Sequence, residues 1–377
     1  MKSNSVVIFG AGAVGRGFIG RIVSANCMRP VFIDPNAQLV QRLNKTGQYK
    51  VLLVGNAKKE ITVSGFEAIT PEHTKQAAEA IDSCLFAASA VGGQNLKSVA
   101  DILKSPLAKR KSPLNILVCE NWPQAEKVLD KALVDFDCEK KNFSCISCSV
   151  ERMARRKDTG LDVLAEGGIA LYADSRAFKG RIPDIPGFVF CTNIEAIYAR
   201  KLYTSNLGHA CLAYLGHLRG CQYVYEAMDV PEIKKYLLEL FGVVREGFLK
   251  SYDMHPRELD RHIEELLSWR YSNRDLADTI NRVARSPLRK LGPKERLVGV
   301  ARRLEKHKLP TECISRVIAA AMLYRDADDP QSRDLEKMIA EKGPGAVLEN
   351  VCGFGKQDDC YRQSVEFFEM LGKERPC

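Results

Sequence analysis

Near the start of the chain, Val6-Val7-Ile8-Phe9 runs straight into Gly10-Ala11-Gly12-Ala13-Val14-Gly15, and a second apolar run, Pro30-Val31-Phe32-Ile33, ends on Asp34. Strand, glycine turn, helix, strand and acid, in that order, make the dinucleotide fingerprint GxGxxG in its proper setting. Gly10 permits the tight turn, Gly12 lets a pyrophosphate approach the backbone, and Gly15 lets the next helix pack close to the strand. The helix start offers N–H groups and a partial positive charge to the phosphates. Asp34 follows Gly15 by nineteen residues, where a carboxylate accepts hydrogen bonds from an adenosine ribose diol. The same carboxylate repels the extra phosphate of NADP. The expected cofactor is therefore NAD, held by Gly10, Ala11, Gly12, Ala13, Val14, Gly15 and Asp34.

A chain of 377 residues exceeds what one core accommodates, so two domains are expected, 1–192 and 193–377. The first half alternates strand candidates with helical segments. Strands are expected at Val6–Phe9, Val31–Ile33, Tyr49–Val54, Ile61–Val63, Cys84–Ala88, Asn115–Cys119 and Ser144–Val150, with helices such as Pro71–Ile81 and Gln124–Leu133 between them. This alternation implies an α/β fold of Rossmann type, a doubly wound, mostly parallel sheet. Gly168–Ala173 and Phe188–Cys191 are expected as an antiparallel extension. From about Ile194 the apolar spacing becomes helical, in Ile194–Tyr203, Pro231–Ser251, Pro256–Ser268 and Glu312–Arg325, so the second domain is expected to be mainly α-helical. Asn193 stands where a helix cap is wanted.

Charge and cysteine content narrow the function classes. A net charge of +9 comes with basic clusters at Arg152–Lys157 and Arg302-Arg303, but these are interleaved with acids. No nucleic-acid module is visible, so the charge is read as an attraction for small anionic ligands. The thirteen cysteines are scattered through apolar runs, which suits small buried hydrophobes in a reducing compartment. Cys145 and Cys148 have CxxC spacing but fall within an expected strand, where residues three apart face opposite ways; no metal site is expected. No stretch is apolar enough to span a bilayer, and no signal peptide precedes the fingerprint, so a cytoplasmic protein is expected.

A second polar constellation lies at Lys201-Leu202-Tyr203-Thr204-Ser205-Asn206-Leu207-Gly208-His209. On a regular helix Lys201, Asn206 and His209 project within a sector of roughly 140°. Glu120-Asn121 follows the strand Asn115–Cys119, at a carboxyl end where doubly wound sheets present ligand-binding groups. By residue type alone, a helical lysine is as readily a solvated charge, a histidine a structural residue and an asparagine a turn former.

The fingerprint, Cys119-Glu120-Asn121 and the Lys-x4-Asn-x2-His motif together resemble the polyol-specific long-chain dehydrogenase/reductase family. The resemblance runs nearly end to end, through Thr62-Val63-Ser64-Gly65, Ala90-Val91-Gly92, Ala177-Phe178-Lys179-Gly180, Ser286-Pro287-Leu288-Arg289-Lys290-Leu291 and Asp328-Asp329-Pro330-Gln331. It implies a metal-independent, NAD-dependent hydride transfer with Lys201 as general acid/base, its pKa drawn toward neutrality. It implies that Asn121 and Asn206 hold the reacting oxygen and that His209 contacts a substrate hydroxyl. Val91 and Asn121 are implied on the cofactor, and Arg152, Arg282 and Lys290 on the substrate; in the phosphate-using branch, Arg282 and Lys290, or else the Arg152–Lys157 cluster, are implied as partners of a sugar phosphate. Within the family the resemblance is strongest to the shorter branch, which implies a monomer interconverting D-mannitol 1-phosphate and D-fructose 6-phosphate. The same chemistry on an unphosphorylated polyol or a hexuronate is the alternative, and a non-catalytic NAD sensor a remote one.

Three stretches depart from the family pattern. Val150-Glu151-Arg152-Met153 stands where Val-Asp-Arg-Ile is usual, Val91-Gly92-Gly93 where Val-Gly-Pro is frequent, and Leu323 where the nearest branch often carries histidine. They bear on the substrate pocket and leave the lysine–asparagine chemistry untouched.

Overall fold

The computed structural model describes residues 4–55, 58–110, 112–122, 124–157, 160–168 and 171–373. The chain divides into two compact units, Met1–Ile197 and Tyr198–Cys377.

The first unit contains twelve strands among its described residues: β1 (Ser5–Phe9), β2 (Arg29–Ile33), β3 (Gln48–Val54), β4 (Lys59–Ser64), β5 (Glu67–Ile69), β6 (Phe86–Ser89), β7 (Leu114–Val118), β8 (Phe143–Val150), β9 (Ala154–Arg156), β10 (Val163–Glu166), β11 (Leu171–Asp174) and β12 (Phe188–Cys191). Eight form one sheet in the order β12-β11-β8-β7-β6-β1-β2-β5. The six strands from β8 to β5 are parallel, in keeping with the helices that separate them in sequence. β1 is buried on both faces, with Val6 and Ile8 in one apolar cluster and Val7 and Phe9 in the other. This two-sided burial is why its sequence is continuously apolar. Cys148 joins the first cluster and Cys145 packs against the second, so the CxxC pair is split across the sheet.

Two features differ from the sequence reading. β3 and β4 leave the parallel sheet and build a second one, in the order β4-β3-β10-β9. Residues 55–58 are too short a link for a crossover, so β3 and β4 pair antiparallel. β11 does run antiparallel to β8, but β11 and β12 are parallel to one another. Their link, residues 175–187, is long enough for a crossover. Within the expected strand Gly168–Ala173, Ile169 and Ala170 lie outside the described residues.

The second unit is helical among its described residues, around a core that includes Leu207, Leu212, Phe241, Val317 and Ile318. The helix Ile194–Arg200 starts with the Ala196 N–H donating to Asn193 Oδ1 at 3.2 Å. It does not continue as a regular helix to Tyr203. Lys201–Ser205 is a π turn, after which Asn206–Leu218 resumes α-helical geometry. A second π turn, Leu266–Arg270, ends the helix Pro256–Glu265. Among the described residues no helix is long and apolar enough to cross a membrane.

Candidate active site

In the first unit, the functional turns follow β1, β6 and β7. β1 pairs with β2 on one side and β6 on the other, so the strand order reverses here, the place where α/β sheets open a ligand crevice. Gly10 has φ +94°, and a Cβ there would lie 2.5 Å from the Ala90 carbonyl oxygen. Its N–H donates to the Ile33 carbonyl at 2.8 Å, which fastens the turn to the end of β2. A Cβ on Gly15 would lie 2.0 Å from the Gly10 carbonyl oxygen, so the helix start closes tightly on the turn. Gly12 is the opposite case. A Cβ there would meet nothing within 4 Å, and Gly12, Ala13 and Val14 are half-buried. This side of the turn faces open space.

Asp34 is tied to the same turn. Its Oδ2 accepts from the Ala11 N–H at 2.7 Å and its Oδ1 from the Asn36 N–H at 2.9 Å. Glu120 makes a second tie that the sequence reading did not assign. It is buried, and its carboxylate accepts from the Val91 N–H at 3.0 Å and the Gly92 N–H at 2.8 Å. The turns after β6 and β7, which carry Val91 and Asn121, are thereby joined. The signal was a carboxylate at a strand end opposite a glycine turn. A Cβ on Gly93 would lie 1.9 Å from Trp122 Cε3, so the departure from proline at this position makes room for an indole. Arg152, half-buried just after β8, has its Nη2 3.0 Å from where a Gly168 Cβ would stand.

In the second unit the π turn decides the geometry. Residues five apart on a regular helix diverge by about 140°. Here the Asn206 N–H donates to the Lys201 carbonyl, the i+5 bond that brings the two residues onto the same side of successive turns. From 201 to 216, every residue is buried except Lys201, Leu202, Asn206 and His209. An amine, an amide and an imidazole thus emerge as one polar stripe from an otherwise packed helix.

The turn is held from outside. Tyr271 Oη donates to the carbonyls of Ser205 at 3.1 Å and Thr204 at 3.3 Å. His262 Nε2 lies 3.0 Å from Thr204 Oγ1 and 3.1 Å from Ser205 Oγ. A Cβ on Gly208 would lie 2.2 Å from Tyr271 Oη, so glycine there admits the phenol beneath the helix. His209 sits edge-on to Tyr271, with ring centroids 4.9 Å apart, beside a small cavity also lined by Arg270, Asn273 and Asp278. His209 Nε2 is 4.0 Å from Asp278 Oδ2, and Asp278 also pairs with Arg282. Asp278 thus links two of the expected substrate contacts. It too was missed in the sequence, where an acid four residues before Arg282 on one helical face was the available clue.

Lys290 stands in a cationic cluster of its own. It is buried, and its ammonium donates to the Arg285 carbonyl. Burial, reinforced by Arg296, Arg289 and Arg285, pushes its pKa down to about 7. Between that value and the ordinary lysine value, the unfolded chain holds a proton that the folded chain has released, so stability rises with pH across the window. Lys290→Met removes this penalty. Its Tm advantage over the wild type is expected to be largest near about pH 6 and to vanish by about pH 10, as read by thermal melts across that range. An advantage independent of pH would refute the assignment.

Comparison with known proteins follows the same division. The model of the mannitol dehydrogenase Rossmann domain matches residues 4–187, and that of the mannitol dehydrogenase C-terminal domain matches 193–366. Mannitol-1-phosphate 5-dehydrogenase of Bacillus pumilus (strain SAFR-032) is 34% identical over 366 residues, covering 94% of this chain and 96% of its own. The enzyme of the same name from Bacillus subtilis (strain 168) is 32% identical over 356 residues, covering 92% and 94%. Among solved structures, Pseudomonas fluorescens mannitol 2-dehydrogenase in ternary complex with NAD and D-mannitol aligns with a TM-score of 0.76 at 16% identity, covering 98% of this chain and 92% of its own. A D-sorbitol dehydrogenase in substrate-free form aligns with a TM-score of 0.81 at 14% identity, covering 98% and 94%.

Proposed function

The chain belongs to the mannitol dehydrogenase family of oxidoreductases, and from that premise we propose that it interconverts D-mannitol 1-phosphate and D-fructose 6-phosphate with NAD as hydride carrier. The observation that carries the chemistry is the i+5 alignment of Lys201 and Asn206 on the polar stripe. In the oxidative direction, Lys201 takes the proton of the hydroxyl on the carbinol carbon, whose hydride NAD would accept when bound. Asn206 and Asn121 donate hydrogen bonds to the oxygen as it gains negative charge; being neutral, they do so without suppressing the lysine's basicity. His209, oriented by Tyr271 and Asp278, contacts a substrate hydroxyl. Arg152, Arg282 and Lys290 supply positive charge for the substrate.

Glycines 10, 12 and 15 fit the cofactor's pyrophosphate, with open space at Gly12, and the Asp34 carboxylate beside them fits its ribose diol. NAD would supply hydride acceptance; the chain's own residues bind, orient and move the proton. The phosphate is supported by full-length similarity to enzymes named for the phosphorylated polyol. The reading carries with it the monomer that the resemblance implied, together with the cytoplasmic setting and absence of a nucleic-acid partner expected from the sequence.

Oxidation of NADH by D-fructose 6-phosphate, measured against D-fructose and tagaturonate, tests the proposal. A site built for a charged group rejects the analogue lacking it, so kcat/KM is expected to favour the phosphorylated ketose by about a hundredfold or more. Preference for an unphosphorylated substrate overturns the substrate assignment.

A further inference from the structure

The segment from Ser286 to Arg296 concentrates positive charge where burial makes charge costly. Lys290 ends the short helix Pro287–Lys290 and is 3% exposed. The like charges acting on it are Arg296, Arg289 and Arg285, and Glu295 is the carboxylate opposing them. Glu295 is already divided between Arg289 at 2.9 Å and Arg296 at 3.2 Å. From the neighbouring helix Pro330–Asn350 and its cap come Asp329 and Gln331. Asp329 accepts from the backbone N–H groups of Ser286 at 2.6 Å and Gln331 at 3.0 Å, and Gln331 Oε1 accepts from the Arg289 N–H at 3.0 Å. Tyr214, on the helix Asn206–Leu218, sits in the field of Arg296, Arg289, Asp329 and Glu295.

Four cations, two of them exposed (Arg285 and Arg289), face two carboxylates, Glu295 and Asp329, and leave an excess of positive charge around the buried Lys290. Such an arrangement costs stability, and a bound anion relieves the cost. Planar arginine forks and an ammonium are also the donors that suit the three terminal oxygens of a phosphate monoester. The segment lies against the signature turn: Tyr203 Oη is 3.5 Å from the Lys294 carbonyl oxygen, between residues close in sequence to Lys201 and to Arg296. The other basic cluster is built differently. Arg155 and Arg156 are exposed on β9, an edge strand, where solvated charge guards against strand pairing.

Resting on the polyol-phosphate reading above, we infer that Arg285, Arg289, Lys290 and Arg296 form the subsite that receives the phosphate group of the substrate. A phosphate dianion there favours the protonated Lys290. Binding at neutral pH is accompanied by proton uptake, and affinity falls as pH rises above about 7.

Arg289→Gln is the variant of choice, because Arg289 is exposed and its loss leaves the packing of Lys290 in place. The readout is the ratio of kcat/KM for D-fructose 6-phosphate to that for D-fructose, with Arg155→Gln measured alongside. Arg289→Gln is expected to lower the ratio by about tenfold or more. Arg289→Lys recovers part of it, and Arg155→Gln leaves it unmoved. A ratio unchanged in Arg289→Gln, or lost in Arg155→Gln instead, overturns the subsite. If the wild type shows no preference for the phosphorylated ketose, the substrate reading fails, and the cluster is judged on inorganic phosphate alone. A phosphate-induced rise in Tm in the wild type that Arg289→Gln loses supports an anion site; no rise in the wild type refutes one.

Discussion

Lys201→Ala will bind NADH as the wild type does and turn over about a thousandfold more slowly. The reaction needs a group to accept the hydroxyl proton while hydride departs, and on the half-buried polar stripe of the signature helix Lys201 is the amine. Truncation leaves the fingerprint, Asp34 and the Glu120 tie intact, so cofactor titration by NADH fluorescence should be unaltered. Lys201→Arg keeps a cation but cannot give up its proton near neutrality, and should be nearly as slow. Added primary amine should restore part of the lost rate in the alanine variant, which a merely structural lysine would not allow. Turnover close to the wild type would remove Lys201 from the chemistry.

The second large effect separates two glycines that a motif treats alike. Gly15→Ala forces a methyl group to within 2.0 Å of a backbone oxygen at Gly10, and neither backbone segment can yield without opening the turn. Overpacking of this kind costs about 3 kcal/mol or more, enough to lower Tm by several degrees and abolish NAD binding with it. Gly12→Ala meets open space and a backbone that alanine tolerates. It should melt with the wild type yet bind NAD more weakly by about tenfold, because the methyl stands where phosphate must approach. Calorimetric melts and NAD titrations of the two variants decide this. Equal loss of Tm in both would mean that the open side has been misassigned.

The centre of the parallel sheet was legible because its strands are buried on two faces and therefore read as unbroken apolar runs, as in Val6–Phe9 and Leu114–Val118, whereas the short edge strand β5 was not read. Sheet membership was not. β3 and β4 alternate like any half-buried strands, and nothing in their residues says that their neighbour is β10. β9 went unread because Ala154-Arg155-Arg156 carries charge on an edge, the opposite of a core pattern.

The π turns were invisible for a different reason. Reading periodicity supposes a constant rotation per residue, and the extra residue at Lys201–Ser205 is stabilised by Tyr271 and His262, more than fifty residues away. The motif chemistry is what the resemblance implies, while the angle between Lys201 and Asn206 needed coordinates. Lys290 shows the same limit. Its identity came from the resemblance, but its setting depends on arginines at 285, 289 and 296 converging on one buried ammonium.

The indole resting on Gly93 has a practical corollary. Trp122 and Trp269 are the chain's two tryptophans, one in each compact unit. Trp122 borders the turns beside the fingerprint, and Trp269 adjoins Arg270 on the wall of the His209 cavity. Removing either one leaves a single emitter, so that arrival of nucleotide and arrival of sugar could be timed separately, by light, without attaching any dye.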